Sequence, residues 1–303
     1  MKIRIGTRGS RLALIQTRMI AKGLRSAFSE LDTEEVLIKT VGDKVLDRPL
    51  AEVGGKGVFV DSIESALSSG EIDLAVHSGK DIPSVISDEY SLYVLTPRAD
   101  VRDVLLLRSD RYEDYKNGKH LVVGTSSPRR KELLKRLLPD SEDKLLRGNV
   151  PTRVDKLRGG EYDGIILAAA GLDRLNLDIT DLIAERLDTD TFIPATSQGI
   201  IVCEALAGSE VSKLLEELEV RDKELVKLKK ILVLERRLSS YMNADCYDAA
   251  AVYARYISED KLEVRWFYGD SEINKEIISD AEVSEIIAGR DEIWKKRVRE
   301  SVI

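Results

Sequence analysis

The chain has 303 residues, 43% of them apolar, and carries 47 Lys or Arg against 54 Asp or Glu, a net charge of −7. At about 100–200 residues per domain this length predicts two or three domains, and the acidic balance argues against a dedicated nucleic-acid binder. Apolar runs fall short of the ~20 residues that cross a bilayer, and residues 1–5 do not resemble a signal peptide. The chain has two cysteines and two histidines, which cannot supply a disulfide framework or a Cys/His zinc site. We therefore expect a cytoplasmic protein with no metal, no membrane partner and no nucleic-acid partner. Because no long apolar stripe is left over, we expect a monomer.

The first half of the chain alternates short apolar runs with segments of helical periodicity, which is typical of parallel α/β sheets. Strands are predicted at 2–6, 36–41, 72–76, 121–124 and 163–168, and helices at 12–28, 58–67, 131–138 and 150–157. A bridging stretch at 97–108 separates the two halves of this pattern.

Two pairs of short motifs recur in the same order. The sequence I-G-T-R-G-S at 5–10 and the sequence V-G-T-S-S at 123–127 each precede a helix, while G-E-I-D at 70–73 and G-E-Y-D at 160–163 each enter a strand. Coincidence is the alternative, because the motifs are short. A real repeat predicts two doubly wound α/β lobes that face each other across a cleft, as in periplasmic binding proteins.

The character of the sequence changes near residue 209. Charged amphipathic helices are predicted at 211–218 and 224–238, alternating strands at 250–257 and 262–268, and a closing helix at 284–298. This pattern indicates a small C-terminal α+β domain.

Arginines stand at three predicted helix N-termini, where a cation costs about 0.3–1 kcal/mol against the helix dipole. Ser127 is a candidate N-cap with Pro128 in the first turn, and Ser10 is a similar cap. The arginines are Arg8, Arg11, Arg129, Arg130, Arg147 and Arg153. Their recurrence favours a carboxylate or phosphate ligand over the alternative of a solvated basic face. On this hypothesis, replacing Arg129 or Arg130 by Leu should not lower stability.

Lys80 and Asp81 follow the predicted strand at 72–76, which places an acid at a strand's carboxyl end among these cations. Either Asp81 is an ordinary salt-bridge partner, or it stabilises developing positive charge in a reaction. We interpret His77 as a packed or hydrogen-bonded residue. The glycine-rich stretch around Lys56 fails the phosphate-loop pattern and indicates a mobile loop.

The two cysteines differ in their surroundings. Cys203 lies in an apolar run and is predicted to be a buried, inert thiol. Cys246 lies in a polar loop, which makes it a candidate nucleophile or attachment point, although an unreactive thiol is equally compatible with the sequence.

Several long motifs together resemble the hydroxymethylbilane synthase (porphobilinogen deaminase) family over most of the chain. They are I-G-T-R-G-S-R-L-A-L at 5–14, G-G-K-G-V-F-V at 54–60, D-L-A-V-H-S-G-K-D-I-P-S at 73–84, V-G-T-S-S-P-R-R at 123–130, L-R-G-N-V-P-T-R at 146–153, E-Y-D-G-I-I-L-A-A-A-G-L-D-R-L at 161–175 and P-A-T-S-Q-G at 194–199, followed by Cys246.

The resemblance implies a transferase of tetrapyrrole (heme) biosynthesis. It implies that four porphobilinogen molecules are joined head to tail with loss of ammonia, on a covalent dipyrromethane cofactor held by Cys246 through a thioether. It also implies a first lobe of residues 1–97 with 195–212, a second lobe of 98–194 and a C-terminal domain of 213–303 that carries the cysteine.

The resemblance also assigns roles to residues. Asp81 matches the catalytic carboxylate, and Lys56 and Phe59 fall in the mobile loop. The residues that match the family's cofactor-binding positions are Lys80, Asp81, Ser10, Thr125, Ser127, Arg129, Arg130, Arg147, Gly148, Gly171 and Gly199. Substrate contacts match Arg8, Ser78, Arg147, Arg153 and Gln198.

The chain departs from the family's usual motifs at a few positions. Gly79 stands where the family usually has Met, Pro128 where it has Leu, and Thr196-Ser197 where it has Val-Gly. The loop around Cys246 departs most, since A-D-C-Y-D-A-A-A replaces G-G-C-Q-x-P-I-G. Two alternatives are a carboxylate-binding protein without chemistry and a family member that no longer holds the cofactor.

Overall fold

The structure is a computed structural model that describes residues 1–39, 60–244 and 248–301. The predicted glycine-rich loop with Lys56 and Phe59 lies outside these residues, as does Cys246. Within the described ranges, none of the helices is both long and apolar enough to cross a membrane.

The strands, in chain order, are β1 (Lys2–Thr7), β2 (Asp32–Leu37), β3 (Leu74–Ser78), β4 (Tyr90–Tyr93), β5 (Asp103–Arg108), β6 (Val122–Gly124), β7 (Glu142–Lys144), β8 (Gly164–Ala168), β9 (Leu182–Arg186), β10 (Ile201–Leu206), β11 (Ala250–Tyr256), β12 (Lys261–Tyr268) and β13 (Asn274–Ser279). The helices are α1 (Arg11–Ala27), α2 (Asp61–Ser68), α3 (Tyr112–Lys116), α4 (Pro128–Leu137), α5 (Val150–Arg158), α6 (Ala169–Leu175), α7 (Glu210–Arg221), α8 (Lys223–Tyr241), α9 (Asp280–Ile287) and α10 (Glu292–Glu300).

The first lobe is a five-stranded sheet in the order β2-β1-β3-β10-β4. β1 runs parallel to β2 and β3, while β10 is antiparallel to both of its neighbours. Ile3 and Ile5 of β1 point into a core that also holds Leu24 of α1. The chain therefore leaves this lobe after β4 and returns to it with β10.

The second lobe repeats this plan with the order β7-β6-β8-β5-β9. Its antiparallel strand is β5, which lies inside the bridging stretch predicted at 97–108 and pairs with β8 and β9. Residues 104–107 of β5 are fully or almost fully buried, because the strand is covered on both faces and thus reads as a continuous apolar run. The structure therefore makes part of the predicted bridge a central strand.

The predicted sequence repeat is confirmed by matching hydrogen bonds. In the first lobe, the amide of Arg4 donates to the Asp73 carboxylate at 2.8 Å and the amide of Asp73 donates to the Arg4 carbonyl at 2.9 Å. In the second lobe, Val122 and Asp163 make the same two bonds at 2.8 and 2.9 Å. The aspartate of each G-E-x-D motif thus sets the register of two parallel strands.

The C-terminal part contains the antiparallel sheet β11-β12-β13, with β12 in the centre. The predicted single helix at 284–298 is wrong, since the chain forms α9 and α10 with a break at Gly289, whose φ is +74°. Glycine adopts this left-handed conformation without the Cβ clash that other residues suffer. Trp266 and Trp294 pack edge to face in the core of this unit, with their ring centroids 5.6 Å apart.

Helix α7 spans the expected domain boundary. The boundary between residues 212 and 213 falls inside this helix, whose Val211 and Leu215 are buried in the core of the first lobe. Those side chains pack with Ile201 and Cys203 of β10, so this face of the helix is part of the core of the first lobe.

The C-terminal unit contacts both lobes. Leu228 and Leu232 of α8 pack with Ile82 and Ile200 of the first lobe. Tyr253 and Phe267, on the other side of the C-terminal sheet, belong to a core cluster of the second lobe. This unit therefore lies across the junction of the lobes.

Candidate active site

The first lobe contributes a short turn at the end of β3. A 3₁₀ turn at Gly79–Asp81 follows Ser78, so the side chains of Lys80 and Asp81 project from the end of the strand. We call residues 79–81 the Asp81 turn. Asp81 and Ser78 line a cavity of about 70 Å³ together with Arg8 and Ser10 from the start of α1. The predicted acid and the first predicted arginine thus lie on one surface.

Ser10 acts as the predicted N-cap, since its Oγ accepts from the amide of Ala13 at 3.2 Å. The adjacent Gln16 is buried, lines the same cavity and donates through Nε2 to Ser78 Oγ at 3.0 Å. Sequence reasoning missed Gln16. The signal that could have identified it is its position in the predicted helix, where the periodicity places this amide side chain beside the apolar residues Leu12, Ile15 and Ile20.

The second lobe contributes Arg129 and Arg130 from the first turn of α4. Ser127 caps this helix by accepting from the amide of Arg130 at 3.4 Å, and Thr125 Oγ1 accepts from the amide of Ser127 at 3.2 Å. The sequence therefore predicted the local geometry correctly.

A carboxylate of the protein itself also neutralises these two arginines, which was not predicted from the sequence. Asp103 accepts from Arg129 Nη2 and Arg130 Nη2, each at 2.7 Å, and all three side chains are buried. Burial alone would raise the pKa of Asp103, but the two guanidinium groups hold it well below its ordinary value. Gln198 adds a hydrogen bond from Nε2 to Asp103 Oδ1 at 3.1 Å. The sequence signal that could have identified this carboxylate is the position of Asp103 directly before the apolar run at 104–107.

The cations of the cleft repel one another. Burial is the largest cause that lowers the pKa of Lys80 to about 8. The charges of Arg130 and Arg129 lower this pKa further, while those of Asp81 and Asp103 raise it. Burial likewise lowers the pKa of Arg153 to about 10, aided by Arg130 and Arg147 and opposed by Asp81. The two lobes therefore bring together more positive than negative charge around Asp81.

Arg153 is held at the start of α5. Asn149 caps this helix by accepting from the amide of Thr152 at 3.0 Å, and Arg153 Nε donates to the Gly148 carbonyl at 2.7 Å. Gly148 has a φ of +117°, which only glycine adopts readily. The half-buried Arg147 precedes it. This loop thus aims two predicted arginines toward the same region.

Two predicted glycines lie at contacts between segments. Gly199 has a φ of +87°, and its carbonyl accepts from Arg174 at 2.8 Å and from the amide of Ala99 at 3.1 Å. A Cβ at Gly171 in α6 would lie 3.7 Å from Leu12 of α1, in ordinary contact. Their contact with the cofactor stays a prediction.

Two interpretations of single residues are confirmed. His77 is buried and its Nε2 lies 2.9 Å from Glu204 Oε2, so it is a hydrogen-bonded residue. Cys203 is fully buried, and burial raises the pKa of its thiol.

Comparison with known proteins gives consistent matches. A family model described as "Porphobilinogen deaminase, dipyromethane cofactor binding domain" matches residues 3–213. A porphobilinogen deaminase of Clostridium beijerinckii is 38% identical over 281 residues, which are 92% of this chain and 93% of that protein. Another, of Roseiflexus castenholzii, is 49% identical over 217 residues, 71% of this chain and 70% of that protein. The solved VFT2 domain of Bordetella pertussis BvgS is only distantly similar, with a TM-score of 0.46 and 16% identity over 76% of this chain and 91% of that chain.

Proposed function

The chain belongs to the porphobilinogen deaminase family, and from this premise we propose that Asp81 is its catalytic carboxylate. The protein is a transferase that uses a dipyrromethane cofactor and condenses porphobilinogen into hydroxymethylbilane. One observation supports the choice of Asp81 above others. Asp81 is the carboxylate that lines the cavity beside Arg8, and its charge raises the pKa values of both Lys80 and Arg153.

The residues of the cleft suit a group with several carboxylates. Lys80, Arg129, Arg130 and Arg153 outnumber Asp81 and Asp103. Burial, followed by repulsion from Arg130, lowers the pKa values of Lys80 and Arg153, and a bound carboxylate would offset that repulsion. The Nε of Arg130 is buried and has no acceptor among the described residues. A dipyrromethane, with an acetate and a propionate on each ring, would satisfy such donors.

We assign the cations of the second lobe mainly to the cofactor. Arg129, Arg130 and Arg147 would hold its carboxylates together with Lys80, with the hydroxyls of Ser127 and Thr125 nearby. When bound, the dipyrromethane supplies the pyrrole carbon to which the first substrate is joined. Its attachment to Cys246 is part of this proposal.

Arg8, Ser78 and Arg153 would bind the acetate and propionate of porphobilinogen, since all three lie around Asp81. Bidentate guanidinium contacts fix the orientation of a carboxylate as well as its position. Gln198 has a role other than substrate binding, because its Nε2 donates to Asp103 and to the Val101 carbonyl. We therefore propose that Gln198 supports the arginines.

The role of Asp81 follows from charge. Ammonia leaves the aminomethyl carbon of porphobilinogen with the bonding electron pair, so the substrate pyrrole becomes positive. The surrounding arginines make that cation less stable, and a fixed carboxylate opposes them. A preorganised charge of this kind stabilises the transition state because it does not have to reorient.

We further propose a monomeric, cytoplasmic protein without nucleic-acid or membrane partners. The proposed lobes are 1–97 with the returning segment from 195 to about 221, and 98–194, followed by the C-terminal domain that carries Cys246. The separate sheets of these three units support this division.

The test is single-turnover addition of porphobilinogen to cofactor-loaded Asp81→Asn and Asp81→Glu. Asn keeps size and removes charge, so we expect a rate loss of ~10²–10³, with a milder loss for Glu. Equal losses would assign the effect to position instead of charge. An undiminished rate in both variants would make Asp81 a salt-bridge partner only.

A further inference from the structure

The Asp81 turn lies directly against the segment that returns the chain to the first lobe, since the amide of Gly79 donates to the Ile200 carbonyl at 2.9 Å. A Cβ built on Gly79 would lie 3.0 Å from Ser197 Cβ, 3.0 Å from the Ser197 carbonyl oxygen and 3.3 Å from Val202 Cγ2. Carbon atoms in ordinary contact lie about 3.5–4.0 Å apart. Gly79 therefore lets the turn approach Ser197 more closely than any other residue would.

Ser197 is held in a conformation that non-glycine residues rarely adopt. Its φ is +61°, in the left-handed region. Its amide donates to Glu235 Oε2 at 2.6 Å, and the fully buried Glu235 also accepts from Arg98 at 2.8 Å and from the amide of Ala254 at 2.8 Å. Such strain persists where the surroundings over-determine it, and it concentrates at functional sites.

The hydroxyl of Ser197 does not explain this arrangement. Its Oγ is buried and has no hydrogen-bond partner in the part of the chain that the structure describes. The Ser197 atoms that would crowd a Cβ at position 79 are its own Cβ and its carbonyl oxygen. The contact is thus steric.

The structure brings Gly79 and Ser197 together, although they are 118 positions apart in the chain.

We propose that Ser197 is a positioning residue whose Cβ packs against the Asp81 turn and thereby sets where the Asp81 carboxylate lies. Ser197 is tied through its amide to Glu235 of α8, so the turn takes its position from the junction of the two lobes and the C-terminal unit. The inference rests on the proposed role of Asp81. A displacement of about 1 Å in a catalytic group is enough to cost up to ~10²-fold in rate.

The experiment compares Ser197→Gly, Ser197→Ala, Gly79→Ala and the double variant Gly79→Ala/Ser197→Gly as holoenzymes. Cofactor content is measured by intact mass, and kcat and KM are measured for porphobilinogen. Ser197→Gly should lower kcat about tenfold with KM nearly unchanged, while its melting temperature holds or rises because glycine relieves the left-handed strain. Ser197→Ala keeps the Cβ and should retain kcat.

Gly79→Ala should lower kcat to a similar extent, and the double variant, which moves the methyl group from one side of the contact to the other, should recover most of that loss. Gly23→Ala is the matched control, since its Cβ would meet no atom within 4 Å. If Gly79→Ala does not fold, the pair Ser197→Gly and Ser197→Ala decides alone.

Three results overturn the inference: an unchanged kcat in Ser197→Gly, an equal loss in Ser197→Ala, or a Gly79→Ala loss that is the same with Ser and with Gly at 197. Asp81→Asn is measured in the same series. If it retains kcat, the proposed function fails. If it loses kcat while Ser197→Gly does not, only the present inference fails.

Discussion

Arg129 Nη2 lies 2.7 Å from Asp103 Oδ2, and both side chains are almost completely buried. Asp103 opens strand β5, and Arg129 stands in the first turn of α4, so the pair joins the sheet of the second lobe to the helix at its cleft. The second Asp103 oxygen receives Arg130. These arginines therefore stabilise the fold, whether or not they also bind a ligand.

Arg129→Leu is expected to destabilise the cofactor-free protein by about 3 kcal/mol, at the lower end of the range for breaking a buried ion pair, because Asp103 keeps Arg130. This reverses the expectation from the helix dipole alone. Urea unfolding measures the change, with the exposed Lys135→Leu of the same helix as control. Equal stability of the two variants would contradict the structural role.

Asp103→Asn should destabilise the protein at neutral pH, since two buried guanidinium groups lose their counter-charge. The pKa of Asp103 is lowered in the folded state, so its contribution is fully present above its ordinary pKa of 3.8 and is lost as pH falls below that value. The difference in unfolding free energy between wild type and variant should thus stay constant from pH 7 to about 4 and shrink below. A difference that shrinks already near pH 6 would implicate another group.

Lys80→Met should stabilise the cofactor-free protein, and more so at pH 7 than at pH 9.5. The pKa of Lys80 is about 8 in the folded protein against an ordinary value of 10.5. The folded state therefore binds fewer protons between these values, and stability rises with pH across that window. Unfolding of both proteins in a Cys246→Ser background at the two pH values tests this. An equal gain at both would show that burial of Lys80 is not what lowers stability.

Cys246→Ser should yield a folded protein whose intact mass equals that of its polypeptide, because the proposed attachment point is gone. Cys203→Ala is the matched control and should keep the covalent dipyrrole. We choose Ala there because Cys203 is fully buried in an apolar core, where the Ser hydroxyl would cost about 1–3 kcal/mol. A dipyrrole still attached in Cys246→Ser would refute the assignment.

Local patterns predicted a large share of this structure. The caps at Ser10 and Ser127, the repeated strand entries at Asp73 and Asp163, and the buried Cys203 all depend on neighbours within a few positions or on a simple alternation. Failures occurred where context overrides the pattern. Strand β5 looked like a bridge because burial on both faces removes the alternation that marks a strand.

The sequence by itself determined that two similar α/β lobes place charged residues at strand ends, because periodicity, caps and strand-to-helix turns are local properties. Only the tertiary structure decided which charges meet, that Asp103 neutralises Arg129 and Arg130, and that Gly79 touches Ser197. Electrostatic and steric energies depend on distances in space. Residues 26 or 118 positions apart acquire those distances only when the lobes fold and pack.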